Sequence, residues 1–224
     1  MESMSISLKS PLREKLYLIL FSNIILFLLE LIGAYLSIKA SREFAFIYYT
    51  NLSNYFSLFA SFTICFGAII SLRKNTPLPY FYYSLKFTVN VCLMITFLVC
   101  FCLLIPLKPD ILDFMVAQNA NLLYHVICPI LSLVCFFAIE KNERIKKRII
   151  FTSTLPTMLY GIVLSLLNLK RVVIGPYPFF LYRSFPLTFC IPCVFGIYFL
   201  SLILSLIFFA IKKYQIRRTI TNKA

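Results

Sequence analysis

Six apolar runs of helical length, separated by short polar or basic connections, restrict this chain more than any other feature of its sequence. The runs fall at about 16–37, 44–71, 80–105, 118–138, 149–169 and 187–211. Backbone N–H and C=O groups in hydrocarbon must be satisfied within their own segment, so runs of this length read as membrane-spanning α-helices. The composition agrees. The 224 residues are 61% hydrophobic and only 13% charged, against about a quarter charged in a soluble domain. The expectation is an all-α, six-transmembrane-helix integral membrane bundle forming a single domain over residues 1–224. No internal repeat or low-complexity segment interrupts it.

Charge sets the orientation. Lys9, Arg13 and Lys15 precede the first run. They resemble the n-region of a signal peptide, but the run after them is too long for an h-region and carries Glu30, so it reads as an uncleaved first helix. The net charge of +14 lies in loop clusters and not along one face. That pattern suits an anionic cytoplasmic leaflet and not nucleic acid. With six spans, fifteen Lys and Arg fall on the side of the two termini and six on the other. Both ends are therefore expected in the cytoplasm, and the location is expected to be the plasma membrane. The densest cluster is 140–148, and Lys86 is expected to snorkel from the start of span three to the interface.

The fourth run carries the chain's one histidine, His125. An ionisable group inside a span is costly unless it is paired, and marks either a functional site or a structural bond to a neighbouring helix. With span two entering near Phe44, Thr50 lies ~9 Å deep, and His125 lies ~10 Å deep in span four. Glu30 sits at a matching level in span one. Thr50 with Asn54, and Asn121 with His125, share helical faces at i,i+4. A hydroxyl facing an imidazole is a nucleophile–base arrangement. Polar side chains at such positions also join membrane helices without any chemistry. The eight cysteines read as small buried hydrophobes, and one histidine with scattered acids makes no metal set, so neither metal nor cofactor is expected.

Three motifs in order carry a resemblance. Ile47 to Asn54, IYYTNLSN, looks like the aromatic–Thr–x–x–Ser–Asn signature of the Pr-six-Pr family of bacterial membrane proteins. That family is related to the androgen-induced and androgen-dependent transmembrane threonine hydrolases of animals. Asn121 to Pro129, with proline four residues after His125, resembles the same family's span four. Pro156 to Tyr160 and Gly175-Pro176-Tyr177-Pro178-Phe179 resemble its fifth span and its following loop. The resemblance implies a membrane-embedded lipid ester hydrolase, the animal members acting on fatty acid esters of hydroxy fatty acids. It places the catalytic roles on Thr50 and His125 and a substrate rim at Tyr177 and Phe179.

On this reading Thr50 attacks the ester carbonyl and His125 moves the proton. Asn51, Asn54 or Asn121 supplies an oxyanion donor, and Glu30 or Asn121 orients the imidazole. The partner is a membrane lipid or lipid ester. The rival readings are a membrane acyltransferase, a transporter or lipid-binding protein whose Glu30 and His125 relay protons, and an interaction scaffold. No inverted repeat and no clearly broken span is apparent, which weighs against transport. The charge count gives the first test. A reporter fused after Ala224 is expected to report cytoplasm, and a single cysteine near Asp110 is expected to react with an impermeant reagent from outside.

Overall fold

The computed structural model describes residues 2–118, 120–140 and 145–221, with side chains from Pro11 to Arg218 and at Thr221. Within these residues the chain is all-helical, with no strand. Its principal helices are α1 (Glu2–Ser41), α2 (Tyr49–Lys74), α3 (Tyr80–Val99), α4 (Cys128–Ala138), α5 (Leu155–Leu169) and α6 (Leu187–Thr221). Five segments are long and apolar enough to cross a membrane: Pro11–Phe46, Tyr49–Lys74, Tyr80–Leu107, Ile149–Leu169 and Leu187–Arg218. The fourth apolar helix, Leu123–Ala138, is shorter. Large apolar side chains such as Phe21, Phe62, Phe151 and Phe195 are exposed around the outside. An apolar exterior of this kind suits lipid and not water. The protein is membrane-embedded by this measure.

The helix ends follow local chemistry. Arg42 takes a left-handed conformation (φ 48°) and ends α1. A 3₁₀ turn, Arg42–Phe46, follows it, and α2 begins only at Tyr49 after an extended Tyr48. Span two therefore starts five residues later than the expected Phe44. Asn75 caps the far end of α2 in the left-handed region (φ 50°), and its backbone N–H reaches back toward Leu72 O. Asparagine tolerates that conformation better than most residues.

Two spans depart from regular α-helix without a break at that point. α3 runs into a π turn at Cys100–Leu104, and a second π turn, Leu123–Ile127, precedes α4. Each has a proline four residues beyond its central residue: Pro106 after Cys102, and Pro129 after His125. A proline has no N–H for the carbonyl four residues back, and its ring crowds that carbonyl. The helix relaxes by one residue, so that Cys128 N–H bonds Leu123 O and Ile105 N–H bonds Cys100 O. Span four is broken before its expected body, with Gln118 extended between the short helix Leu112–Ala117 and the π turn.

Two apolar clusters hold the bundle. Phe87, Val91 and Ile95 of α3 meet Phe136 of α4 and Leu204 and Phe208 of α6. Leu16 and Ile19 of α1 pack on Ile64 and Ala68 of α2 and on Tyr83. Between these clusters lies a buried polar knot. Lys86, only 1% exposed, donates to Asn23 Oδ1 at 2.9 Å and lies 3.8 Å from Glu140 Oε1. Asn23 Nδ2 donates to Glu140 Oε1 at 3.0 Å. Lys212 of α6 donates to the carbonyls of Phe136 and Glu140.

Lys86 thus does not snorkel, and Glu140 does not belong to the solvated cluster at its position in sequence. Of that cluster, 141–144 lie outside the described residues, as do Asn119 and the tail residue Lys223. Removing one partner of a buried pair strands the other charge, at a cost of about 3–5 kcal/mol. Lys86→Ala is expected to lower the stability of the purified protein by that order in thermal melting. Lys86→Met combined with Glu140→Gln is expected to recover most of the loss.

Candidate functional site

Thr50 lies in the first turn of α2, and not a turn and a half inside a span as its distance from Phe44 suggested. Asn51 fixes this start, its side-chain amide donating to Ala45 O at 2.9 Å across the turn. The Thr50 hydroxyl is 3.3 Å from His125 Nε2. His125 sits in the middle of the π turn and is buried, 4% exposed. Its other ring nitrogen, Nδ1, lies 2.9 Å from Met115 O. A carbonyl only accepts, so Nδ1 carries the proton and the lone pair of the neutral ring is on Nε2. The Thr50 O–H therefore donates to His125.

The imidazole is oriented by the backbone of Met115 and of Asn121, and not by the Glu30 carboxylate or the Asn121 side chain. The Asn121 side chain instead donates to Phe114 O at 2.8 Å, which pins the Leu112–Ala117 segment that presents Met115. The Asn121 side chain thus positions the ring one step removed, through Met115. Glu30 is fully buried beside Ser57 and Cys128 and has no hydrogen bond to the ring.

The expected oxyanion donors Asn51 and Asn54 are engaged with backbone carbonyls. Asn51 is committed to Ala45 O, while Asn54 Nδ2 donates to Thr50 O at 2.7 Å and to Tyr124 O at 3.3 Å. Asn54 commits both N–H groups to the frame, and Asn51 commits one. The backbone adds donors at the start of the helix. Leu52 N–H is the first in α2 to bond back, to Tyr48 O, so the amides of Tyr49, Thr50 and Asn51 have no partner within the helix. The Tyr177 phenol is hydrogen-bonded to the Thr50 hydroxyl and accepts from the amides of Thr50 and Tyr49, which leaves the Asn51 amide as the first-turn donor that Tyr177 does not engage. Burial pushes that phenol up to about 12, and the contacts with Thr50 and Tyr49 act in the opposite direction. It therefore holds its proton at neutral pH and is an O–H donor.

Tyr177 and Phe179, expected at a substrate rim, line the cavity with Thr50 and His125. They are 8% and 4% exposed, stack with centroids 5.2 Å apart, and form a wall of the site. Thr50 and His125 open with them onto a cavity of about 450 Å³ whose other walls come from α3, α5 and α6. A second space of about 330 Å³ lies alongside, between α2 and α5. Tyr49 and Tyr160 border both. Tyr49 shares a hydrogen bond with Thr157 at 2.7 Å, and Tyr160 donates to Ile47 O at 2.9 Å. The lining is almost wholly aliphatic and aromatic, which suits a hydrocarbon chain with one polar group placed at Thr50.

Among the described residues no group of three His, Cys, Asp or Glu is placed to hold a metal. No family model matches the chain, and neither a curated protein nor a solved structure matches it significantly.

Gly33 of α1 decides how closely α1 approaches the histidine. A Cβ there would collide with the Tyr124 ring, whereas one at Gly196 would meet nothing within 4 Å. Overpacking of this kind costs about 1–3 kcal/mol. Gly33→Ala is expected to lower the melting midpoint measurably, and Gly196→Ala to leave it unchanged.

Proposed function

We propose that this protein is a membrane-embedded lipid ester hydrolase of the Pr-six-Pr kind, with Thr50 as nucleophile and His125 as base. The observation that carries the reading is the Thr50 Oγ1–His125 Nε2 contact of 3.3 Å on the wall of an apolar cavity. The Met115 carbonyl supports it by fixing the tautomer that leaves Nε2 able to accept a proton. An ester of a hydroxy fatty acid is the substrate the sequence resemblance favours, and the aliphatic walls of the cavity suit its chains.

The chemistry runs in two halves. Thr50 Oγ adds to the ester carbonyl while its proton passes to Nε2. The charge that develops on the carbonyl oxygen is met by the Asn51 amide in the first turn of α2 and by the Tyr177 O–H. The intermediate collapses as Nε2–H protonates the departing alkoxide, leaving an acyl ester on Thr50. Water, deprotonated by the freed Nε2, then releases the fatty acid and restores the hydroxyl.

The membrane arrangement belongs to the same reading. The shorter apolar helix, Leu123–Ala138, acts as the fourth of six spans, enclosed by α1, α2 and α3. Both termini lie in the cytoplasm of a plasma-membrane protein, and the Thr50–His125 pair lies toward the outer leaflet.

A fluorophosphonate tests the nucleophile, because it captures an activated hydroxyl and ignores an ordinary one. Labelling of purified protein is expected at Thr50, absent in Thr50→Ala and sharply reduced in His125→Ala. Ester hydrolysis is expected to fall to a similar extent in either single variant and in the double, since groups that act as a unit are strongly non-additive. Melting is expected to change little, because membrane side-chain hydrogen bonds average only ~0.6 kcal/mol. A probe mapped to Ser53 or Ser57, with Thr50→Ala still labelled, would reject the assignment.

A further inference from the structure

The cavity that holds Thr50 and His125 is not walled evenly. Tyr177, Phe179 and Phe180, on the loop that joins α5 to α6, cover one end of it and are all buried. They pack there with Leu164 and against Leu104 and Ile197. Ile95, Thr96 and Cys100, on α3 and the π turn that continues it, line a second wall and are buried as well. The exposed residues of the lining are Met158, Ile162, Leu166 and Phe195. The first three recur at i, i+4 and i+8 along one face of α5, and Phe195 lies on α6. Among the described residues, every exposed side chain of the cavity wall therefore belongs to the α5–α6 pair.

The two helices are tied at both ends. Ser153, just before α5, shares a hydrogen bond of 2.8 Å with Ser205 of α6, and Ser165 shares one of 2.6 Å with Tyr182 of the connecting loop. Between these ties the helices meet loosely. A Cβ at Gly161 would touch only Val194, at an ordinary 3.8 Å. The opening also lies at hydrocarbon depth. α5 and α6 belong to segments long and apolar enough to cross a membrane, and Ile162 lies ~10 Å along the axis from the Leu169 end of its span. None of the four exposed residues carries a charge or an N–H or O–H group in its side chain. An apolar slot between two spans, continuous with an apolar chamber, therefore meets lipid chains and not water.

We infer that the gap between α5 and α6 is a lateral portal, through which one hydrocarbon chain of a bilayer-dissolved lipid passes from the membrane into the chamber. The chain enters past Ile162, Leu166 and Phe195 and reaches the buried wall at Ile95 and Cys100. The inference stands on the cavity and its membrane setting, and it holds whether or not Thr50 is a nucleophile.

The test follows a fatty acid that carries a diazirine in its chain, added to the full-length protein in phosphatidylcholine vesicles and photolysed after increasing times. Cross-links are expected on Ile95, Thr96 and Cys100, buried residues that a chain touches from within the chamber. Ile162→Trp combined with Leu166→Trp narrows the portal and is expected to slow this labelling roughly ten-fold, an added barrier of about 1.4 kcal/mol. Leu159→Trp combined with Val163→Trp puts the same bulk on the other flank of α5, beside the second space, and is expected to leave the rate unchanged. Phe195→Ala is expected to raise it. All five positions are exposed, so melting is expected to stay at the wild-type midpoint. Should a tryptophan pair not fold, Phe195→Ala carries the test. Wild-type rates in the Ile162 and Leu166 pair, as entry from a water-facing end would give, would overturn the proposal. So would slowing by the Leu159 and Val163 pair instead, or no labelling of the buried wall in the wild-type protein. Ester hydrolysis plays no part in the readout, so loss of the nucleophile assignment would leave the result unaffected.

Discussion

Pro129 cannot donate a hydrogen bond to the carbonyl of His125, and the geometry of the whole site depends on that missing proton. In a regular helix the residue at 129 would close the turn around 125. Without it, the chain widens into the π turn that spans Leu123–Ile127, with the imidazole at its centre. The same defect recurs between Cys102 and Pro106, where α3 widens at the mouth of the cavity. Single-turn π-bulges are frequent at functional sites because they turn a side chain out of the helical register. Here one covalent feature, a ring closed on nitrogen, determines where the nitrogen of another ring lies.

Around that defect the protein uses its polar side chains as construction, mostly to bind backbone. Asn51, Asn54 and Asn121 each donate to a carbonyl, at Ala45, Thr50 and Phe114 respectively. In a medium without water, an amide that satisfies a stray carbonyl contributes more than one held ready for a ligand. In the proposed reaction the task of meeting developing charge falls to the Asn51 amide at the start of α2 and to the Tyr177 phenol beside it. The division is economical. Side chains fix the frame, and the backbone faces the reacting atom.

The apolar runs made the helical class legible, because hydrophobic length is a strong and local signal. The Thr50–His125 pairing was legible too, from spacing and motif together. Three other features were not. Lys86 and Glu140 looked like an interfacial lysine and a loop acid because their partner, Asn23, is an ordinary asparagine far away in sequence. The carbonyl of Met115 is invisible as a ligand, since every residue has one, and only the reversal at Gln118 brings it to the ring. The π turns could have been found, because a proline four residues after a histidine is a readable signature of a strained carbonyl. The late start of α2 was harder. It rests on a left-handed Arg42, which nothing in the side-chain pattern announces.

Tyr49 and Tyr160 form a partition, with centroids 5.0 Å apart, between two spaces of unequal size. Each ring is moored by its hydroxyl, Tyr49 sharing a hydrogen bond with Thr157 and Tyr160 donating to the backbone at Ile47. The division of the chamber therefore depends on where these two phenolic oxygens are held. Loss of either mooring frees a ring to swing, and two compartments become one forked room. A lineage of such proteins could change the size and branching of what it admits by exchanging a single threonine for valine, without altering a helix or touching the histidine.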